Sequence, residues 1–209
     1  MIIINAIIYG ASGSGKTVNS TLIKGKTLLV CTDNSSIVLR NFERPTLEIV
    51  NVSCVKEFLD AYRNGYNSKK YENIILDNLS YFFDMYVLEM DASGKYKDMR
   101  QAYLIIYQNL KRLTRESTSC GCNTIFTAWH DSFEVTQSDG TKIMRIQPKI
   151  PMKILDNICG LANIVAYVTT KKDEKGNKHW YYITEGSKQL LAKDQLMCRK
   201  FCKPEELFG

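Results

Sequence analysis

Residues 2–17 read IIINAIIYGASGSGKT. Ile2–Tyr9 is a run rich in β-branched residues, the pattern of a strand buried on both faces. Gly10–Thr17 then matches G-x-x-x-x-G-K-[ST] in full, and a short helix is expected to follow to about Ile23, stopped by Gly25. Strand, loop and helix in that order make a phosphate-binding loop. Gly10, Gly13 and Gly15 permit backbone conformations closed to residues with a Cβ. The N–H groups of Gly10, Ala11, Ser12, Gly13, Ser14 and Gly15 can then turn inward around phosphate. Lys16 brings a point charge to the β- and γ-phosphates, and Thr17 offers its hydroxyl to Mg²⁺.

Outward from this loop the chain alternates strands and helices. Thr27–Cys31 and Leu47–Val52 read as strands, and Val55–Tyr66 as a helix with an apolar stripe at Val55, Phe58, Leu59 and Tyr62. Tyr71–Leu76 reads as a fourth strand, Leu79–Met90 and Met99–Thr118 as helices, and Asn123–Ala128 as a fifth strand. This predicts an α/β fold with a mostly parallel central sheet flanked by helices. After residue 130 the texture changes. Phe133–Thr136 and Lys142–Ile146 flank a turn signal at Gln137–Gly140, and Pro151 opens a helix to about Cys159. Ile164–Thr169 and Trp180–Thr184 are strands around a polar turn at Lys172–Lys178. A single domain is expected, with a core over 1–130 and C-terminal strands and hairpins over 131–209.

A phosphate-binding loop needs an acidic partner for the metal. Asp77 ends the apolar strand IILD, at the carboxyl edge where doubly wound sheets hold their ligands. It is the candidate carboxylate for Mg²⁺, and an Asp capping the next helix would occupy the same position. Asp33 ends LLVCTD at the same edge, where it could orient water or metal or cap the next turn.

The composition is that of an ordinary globular chain, with 44% hydrophobic residues in 209, which excludes disordered and fibrous classes. A net charge of +6 permits a polyanionic partner without demanding one. Most of the excess lies in 170–203, where nine Lys and Arg face four Asp and Glu. No apolar run approaches the ~20 residues of a membrane span, and Met1–Tyr9 lacks the basic flank and cleavage site of a leader. The seven Cys are odd in number and scattered, as expected of a reduced cytoplasmic protein. Cys120-Gly-Cys122 and the Cys198/Cys202 pair lack the spacing of zinc ligands.

Among loop-containing NTPases, a GTPase would need DxxG after a strand and [NT]KxD for guanine. Asp91–Gly94 and Thr170–Asp173 match by letter only: the first follows a helix and the second lies in a hairpin turn. A small-molecule phosphotransferase would need an Arg-rich lid, whereas Arg100, Arg112 and Arg115 share one helix. The chain does resemble the phage and prophage RecA-like ATPases of single-strand annealing type. The resemblance rests on YGASGSGKT at 9–17, LLVCTDN at 28–34, YENIILDNLS at 71–80, QAYLIIYQNLKRL at 101–113, TIFTAWHD at 124–131, PMKILDNICGLANIVAYV at 151–168 and LLAKDQL at 190–196.

That resemblance implies a RecA-like ATPase using ATP and Mg²⁺ in a bacterial host cell, acting in single-strand annealing or recombination. It implies His130 as the γ-phosphate sensor and Glu57 as the base that activates water. It implies a homo-oligomer, ring or filament, in which Lys193 or Lys188 reaches the neighbour's nucleotide. Gln195 stands where many relatives carry Arg, so slow hydrolysis is expected. Single-stranded DNA would meet loop 91–100, with Lys95, Tyr96, Lys97 and Arg100, and loop 131–149, with Phe133, Lys142, Arg145 and Lys149. A single-strand-binding protein is a candidate partner. A nucleotide-gated interaction module without turnover is the alternative.

Overall fold

A computed structural model describes residues 3–19, 22–41, 44–172 and 174–207. The expected start of the first strand at Ile2, the middle of the first helix at Ser20 and Thr21, and Asp173 lie outside the described residues. Among the described residues, ten strands form the sheet: β1 (Asn5–Gly10), β2 (Thr27–Cys31), β3 (Leu47–Asn51), β4 (Asn73–Asp77), β5 (Asn123–Thr136), β6 (Lys142–Pro148), β7 (Ile164–Lys172), β8 (Lys178–Ile183), β9 (Lys193–Asp194) and β10 (Phe201–Cys202). The helices are α1 (Lys16–Asn19), α2 (Val55–Asn67), α3 (Leu79–Ala92), α4 (Met99–Ser117) and α5 (Met152–Leu161). The strand order is β10-β8-β7-β1-β5-β4-β2-β3, with β6 on β5 and β9 on β7. The six strands from β7 to β3 run parallel.

β1, β2 and β4 are buried along their whole length, as their unbroken apolar runs predict. β3 is half exposed because it is the edge strand. Alternate side chains serve two cores. Ile7, Tyr9, Val30, Leu76, Phe126 and Ala128 pack with Phe58, Phe82, Ile106 and Leu155 from α2–α5. Ala6, Ile8, Leu29, Ile75 and Ile125 face the other way, toward Ile23, Leu39 and Leu207. Phe58 and Phe82 stack with centroids 4.1 Å apart, joining α2 to α3. The side chain of Asn78 caps α3 by accepting from Tyr81 N at 2.6 Å, and that of Asp98 caps α4 by accepting from Arg100 N at 2.9 Å.

Two features depart from the sequence reading. β5 does not stop after Ala128 but continues to Thr136, so the expected hairpin around Gln137–Gly140 grows directly out of it, paired with β6 from His130↔Pro148 to Thr136↔Lys142. Pairing with β6 satisfies a backbone whose polar side chains, His130-Asp131-Ser132, hide the strand in the sequence. Of loop 91–100, both ends are helical, and only residues 93–98 connect α3 to α4. Among the described residues, no helix is long and apolar enough to cross a membrane.

Candidate nucleotide-binding site

The loop after β1 carries left-handed backbone at Gly13 (φ 72°) and Gly15 (φ 91°), which a side chain would strain. At Gly15 there is a second constraint. A Cβ there would overlap the indole Nε1 of Trp180, which lies against the loop from β8. Lys16 folds back over this loop. Its Nζ donates to Ala11 O at 2.8 Å, Gly10 O at 3.1 Å and Ser14 Oγ at 3.4 Å. Burial lowers its pKa, opposed by the nearby charges of Asp77 and Asp33. A buried ammonium held by carbonyls is a site that an anion would stabilise.

Asp77 closes the other side. Its Oδ2 accepts from Thr17 Oγ1 at 2.7 Å and from Ser35 Oγ at 2.8 Å, and its Oδ1 accepts from Thr127 Oγ1. Asp33 is fixed beside it. Its Oδ2 accepts from Asn78 Nδ2 at 2.6 Å and its Oδ1 from Ser35 N at 3.1 Å. A cavity of about 270 Å³ opens between these groups, lined by Ser12, Gly13, Gly15, Lys16, Thr17, Asp33, Asp77, Asn78 and Trp129 among others. The donor set fits Mg²⁺. A hydroxyl and carboxylates are hard oxygen ligands, and Mg²⁺ ordinarily takes one or two of them and completes its shell with water and substrate phosphates. Among the described residues, no group of three or more His, Cys, Asp or Glu could cage a metal by itself.

The structure therefore brings together Gly10–Thr17, Asp33 and Asp77. It places the other expected residues elsewhere. His130 faces the α2–α5 side of β5, stacked against Tyr167 at 6.1 Å, and its buried Nδ1 has no hydrogen-bond partner. The residues of β5 on the nucleotide side are Thr127 and Trp129. Trp129 N donates to Ser80 Oγ at 3.0 Å, and Lys149 Nζ sits 5.1 Å from the centroid of its ring. Glu57 lies outside the cavity. Its carboxylate accepts from Ser53 N at 2.8 Å and Ser53 Oγ at 3.0 Å, which lowers its pKa and fastens the start of α2. It lines a separate cleft with Asn51, Tyr81 and Glu89, and Asp33 borders both cavities. Lys193 pairs with Val165 near the start of β7, at the end of the sheet away from the loop. Its Nζ donates to Gly160 O and Gln195 Oε1, each at 3.3 Å. Lys188 is exposed between β8 and β9.

Ser35, Thr127 and Trp129 escaped the sequence reading. Thr127 and Trp129 share the parity of Ile125 along β5, a signal that becomes readable only once the face of the sheet is known.

The AAA domain family profile matches residues 4–196. No curated protein matches the sequence. Among solved structures, a KaiC-like protein from the hyperthermophilic archaeon Pyrococcus horikoshii is similar, with a TM-score of 0.50 and 15% identity over 86% of this chain and 77% of that one. That likeness is one of fold, a RecA-like sheet. With the profile spanning nearly its whole length around an intact phosphate-binding loop, the chain belongs to the AAA domain family of P-loop nucleotide-binding ATPase domains.

Proposed function

We propose that this chain binds ATP and Mg²⁺ at Gly10–Thr17 and hydrolyses ATP slowly, stimulated by single-stranded DNA, in single-strand annealing or recombination in a phage or prophage. In this reading Thr17 and Asp77 hold the metal, which when bound would neutralise charge developing on the phosphates. Lys16 leaves its loop carbonyls for the β- and γ-phosphates. Trp129 walls the cavity and limits water.

The observation that carries the link to DNA is the course of β5. One strand holds Thr127 on Asp77, Trp129 in the cavity, and then Phe133 in a hairpin whose other strand bears Lys142 and Arg145. A change at the nucleotide reaches the hairpin along a single rigid element. Cations with an aromatic suit single-strand backbone and bases. Slow turnover is supported by the absence, among the described lining residues, of any carboxylate besides Asp33 and Asp77. Lys193 and Lys188 would act in trans within a homo-oligomer. The position of Glu57 outside the cavity also favours the second reading, a nucleotide-gated module without turnover.

The test is the rate of ATP hydrolysis with and without single-stranded DNA, beside the mass of the assembly. Stimulation by DNA supports the first reading. ATP binding with no turnover in either condition leaves the second.

A further inference from the structure

The sheet extends beyond the cover of its helices. Past β7 it continues into β8 and β10, while α2–α5 pack over the face carrying Ile7, Tyr9 and Val165. Side chains of β8 alternate across this extension. Tyr182 enters the second core and Trp180 lies against Gly15 of the phosphate loop. Tyr181 points to the opposite face. There it meets Phe201 of β10 edge-on, with ring centroids 6.4 Å apart. Lys171 of β7 stands over both rings, its Nζ 5.8 Å from the centroid of Tyr181 and 5.7 Å from that of Phe201. Phe201 is 61% exposed. The segment 170–203 carries nine basic and four acidic residues; within it Lys172 and Lys178 alternate onto the face of Trp180, Lys200 pairs with Glu185 at 3.6 Å, and Lys171 is the cation at the two rings.

Two rings and an ammonium on an uncovered sheet end fit one class of occupant. An apolar helix or an uncharged surface would bury the Lys171 ammonium without a partner. A single-stranded polynucleotide satisfies both components, with a base on the rings and a phosphate on Lys171. We propose that Tyr181, Phe201 and Lys171 form a base-stacking platform for single-stranded polynucleotide, separate from the β5–β6 hairpin. This rests on the reading that the chain binds single strands, and adds where. A base laid on the rings displaces Lys171 from the ring faces, and its ammonium moves to a phosphate. Trp180, whose buried Nε1 has no hydrogen-bond partner beside Gly15, is the neighbour of Tyr181 on the same strand. Platform and phosphate loop therefore share β8, so ATP with Mg²⁺ and polynucleotide alter each other's affinity reciprocally.

The experiment is fluorescence anisotropy of a labelled oligo(dT) of about 20 nucleotides with the full chain, over a salt series. Phe201→Ala and Tyr181→Ala are each expected to weaken binding about 10-fold with the salt slope unchanged. Lys171→Ala is expected to reduce the slope by about one. Equal melting temperatures show the variants folded, as the exposure of Phe201 predicts. No binding by the unmodified chain at low salt overturns both the single-strand reading and the platform. Binding that Lys142→Ala with Arg145→Ala weakens, and the ring variants do not, overturns the platform alone. A ring variant that changes the mass of the assembly and leaves oligonucleotide affinity intact assigns the face to contact between copies, and also overturns it.

Discussion

Thr17 Oγ1 donates to Asp77 Oδ2 at 2.7 Å, joining residues 60 positions apart in the chain. The contact closes the nucleotide edge of the sheet. The same carboxylate also receives Ser35 and Thr127, so one acid gathers hydroxyls from α1, the turn after β2, and β5. An acid that would hold the metal and also organises its own surroundings should affect both turnover and stability.

Asp77→Asn keeps the shape and removes the charge. ATP hydrolysis is expected to fall by at least about 100-fold. The loss of charge-assisted hydrogen bonds is expected to cost about 1–3 kcal/mol. At this chain length that lowers the melting temperature by about 2–4 °C per kcal/mol. Steady-state phosphate release and thermal denaturation check the two effects separately. A variant with full turnover would remove Asp77 from the metal site.

Lys16 should show the opposite signature. Burial lowers its pKa, so the folded chain holds that proton less tightly than the unfolded chain. The charge opposes folding, and stability rises with pH as Lys16 sheds its proton in the window below 10.5. Lys16→Met is expected to abolish binding of a fluorescent ATP analogue, to raise the melting temperature of the nucleotide-free protein, and to flatten that alkaline slope. A lower melting temperature would contradict the account.

At Gly15 backbone strain and crowding coincide. Gly15→Ala places a Cβ at positive φ and against Trp180. The strained backbone is expected to cost about 1–3 kcal/mol, with nucleotide affinity lost as the loop distorts. Adding Trp180→Ala relieves the overlap and leaves the strain. The double variant should therefore be more stable than the sum of the single effects predicts, by about 0.5 kcal/mol or more. Strict additivity in denaturant unfolding would show that Trp180 does not press on the loop.

The C-terminal segment is pinned by Asp194, whose Oδ2 lies 2.6 Å from Arg199 Nε. Arg199 also donates to Glu206 O at 2.5 Å and Leu207 O at 3.1 Å. Burial alone would raise the pKa of Asp194, but hydrogen bonds from Arg199 and from the amides of Met197 and Leu196 outweigh it and lower the pKa. A lowered carboxylate stabilises the fold above the unfolded value of 3.8, and that contribution is lost as pH falls through the lower folded value. Asp194→Ala leaves Arg199 with the carbonyls of Glu206 and Leu207 but without its carboxylate, at an expected cost of about 1–3 kcal/mol. Melting curves at pH 7 and pH 3 should show the difference between the two proteins shrinking in acid.

Cys120 and Cys122 lie with their sulfurs 3.5 Å apart. The hydrogen bond from Cys122 is the largest influence on Cys120 and holds its thiol well below the ordinary range. Of the seven free thiols, Cys120 is expected to react first with iodoacetamide at pH 6. Cys122→Ala should slow it. Mass spectrometry of the alkylated peptides distinguishes this from a reaction led by the exposed Cys198.

The sequence by itself determined the phosphate loop, the alternation of strands and helices, and Asp77 at the end of β4. Each is encoded locally: glycines at fixed offsets, unbroken apolar runs, and an acid closing such a run. The parity of β5 was not legible, because a chain does not state which face of a strand meets the ligand. A resemblance named His130, and the register of the sheet put Thr127 and Trp129 in the cavity instead. The sequence reading splits β5 into Asn123–Ala128 and Phe133–Thr136, because the polar residues between them look like a loop until β6 pairs with them. Trp180 against Gly15, and Tyr181 with Phe201 beneath Lys171, arise from segments brought together across more than 150 residues in one case and 10 to 30 in the other. Only the tertiary structure decided these contacts, because pairing and packing set them, and neither is written in the spacing of residues along the chain.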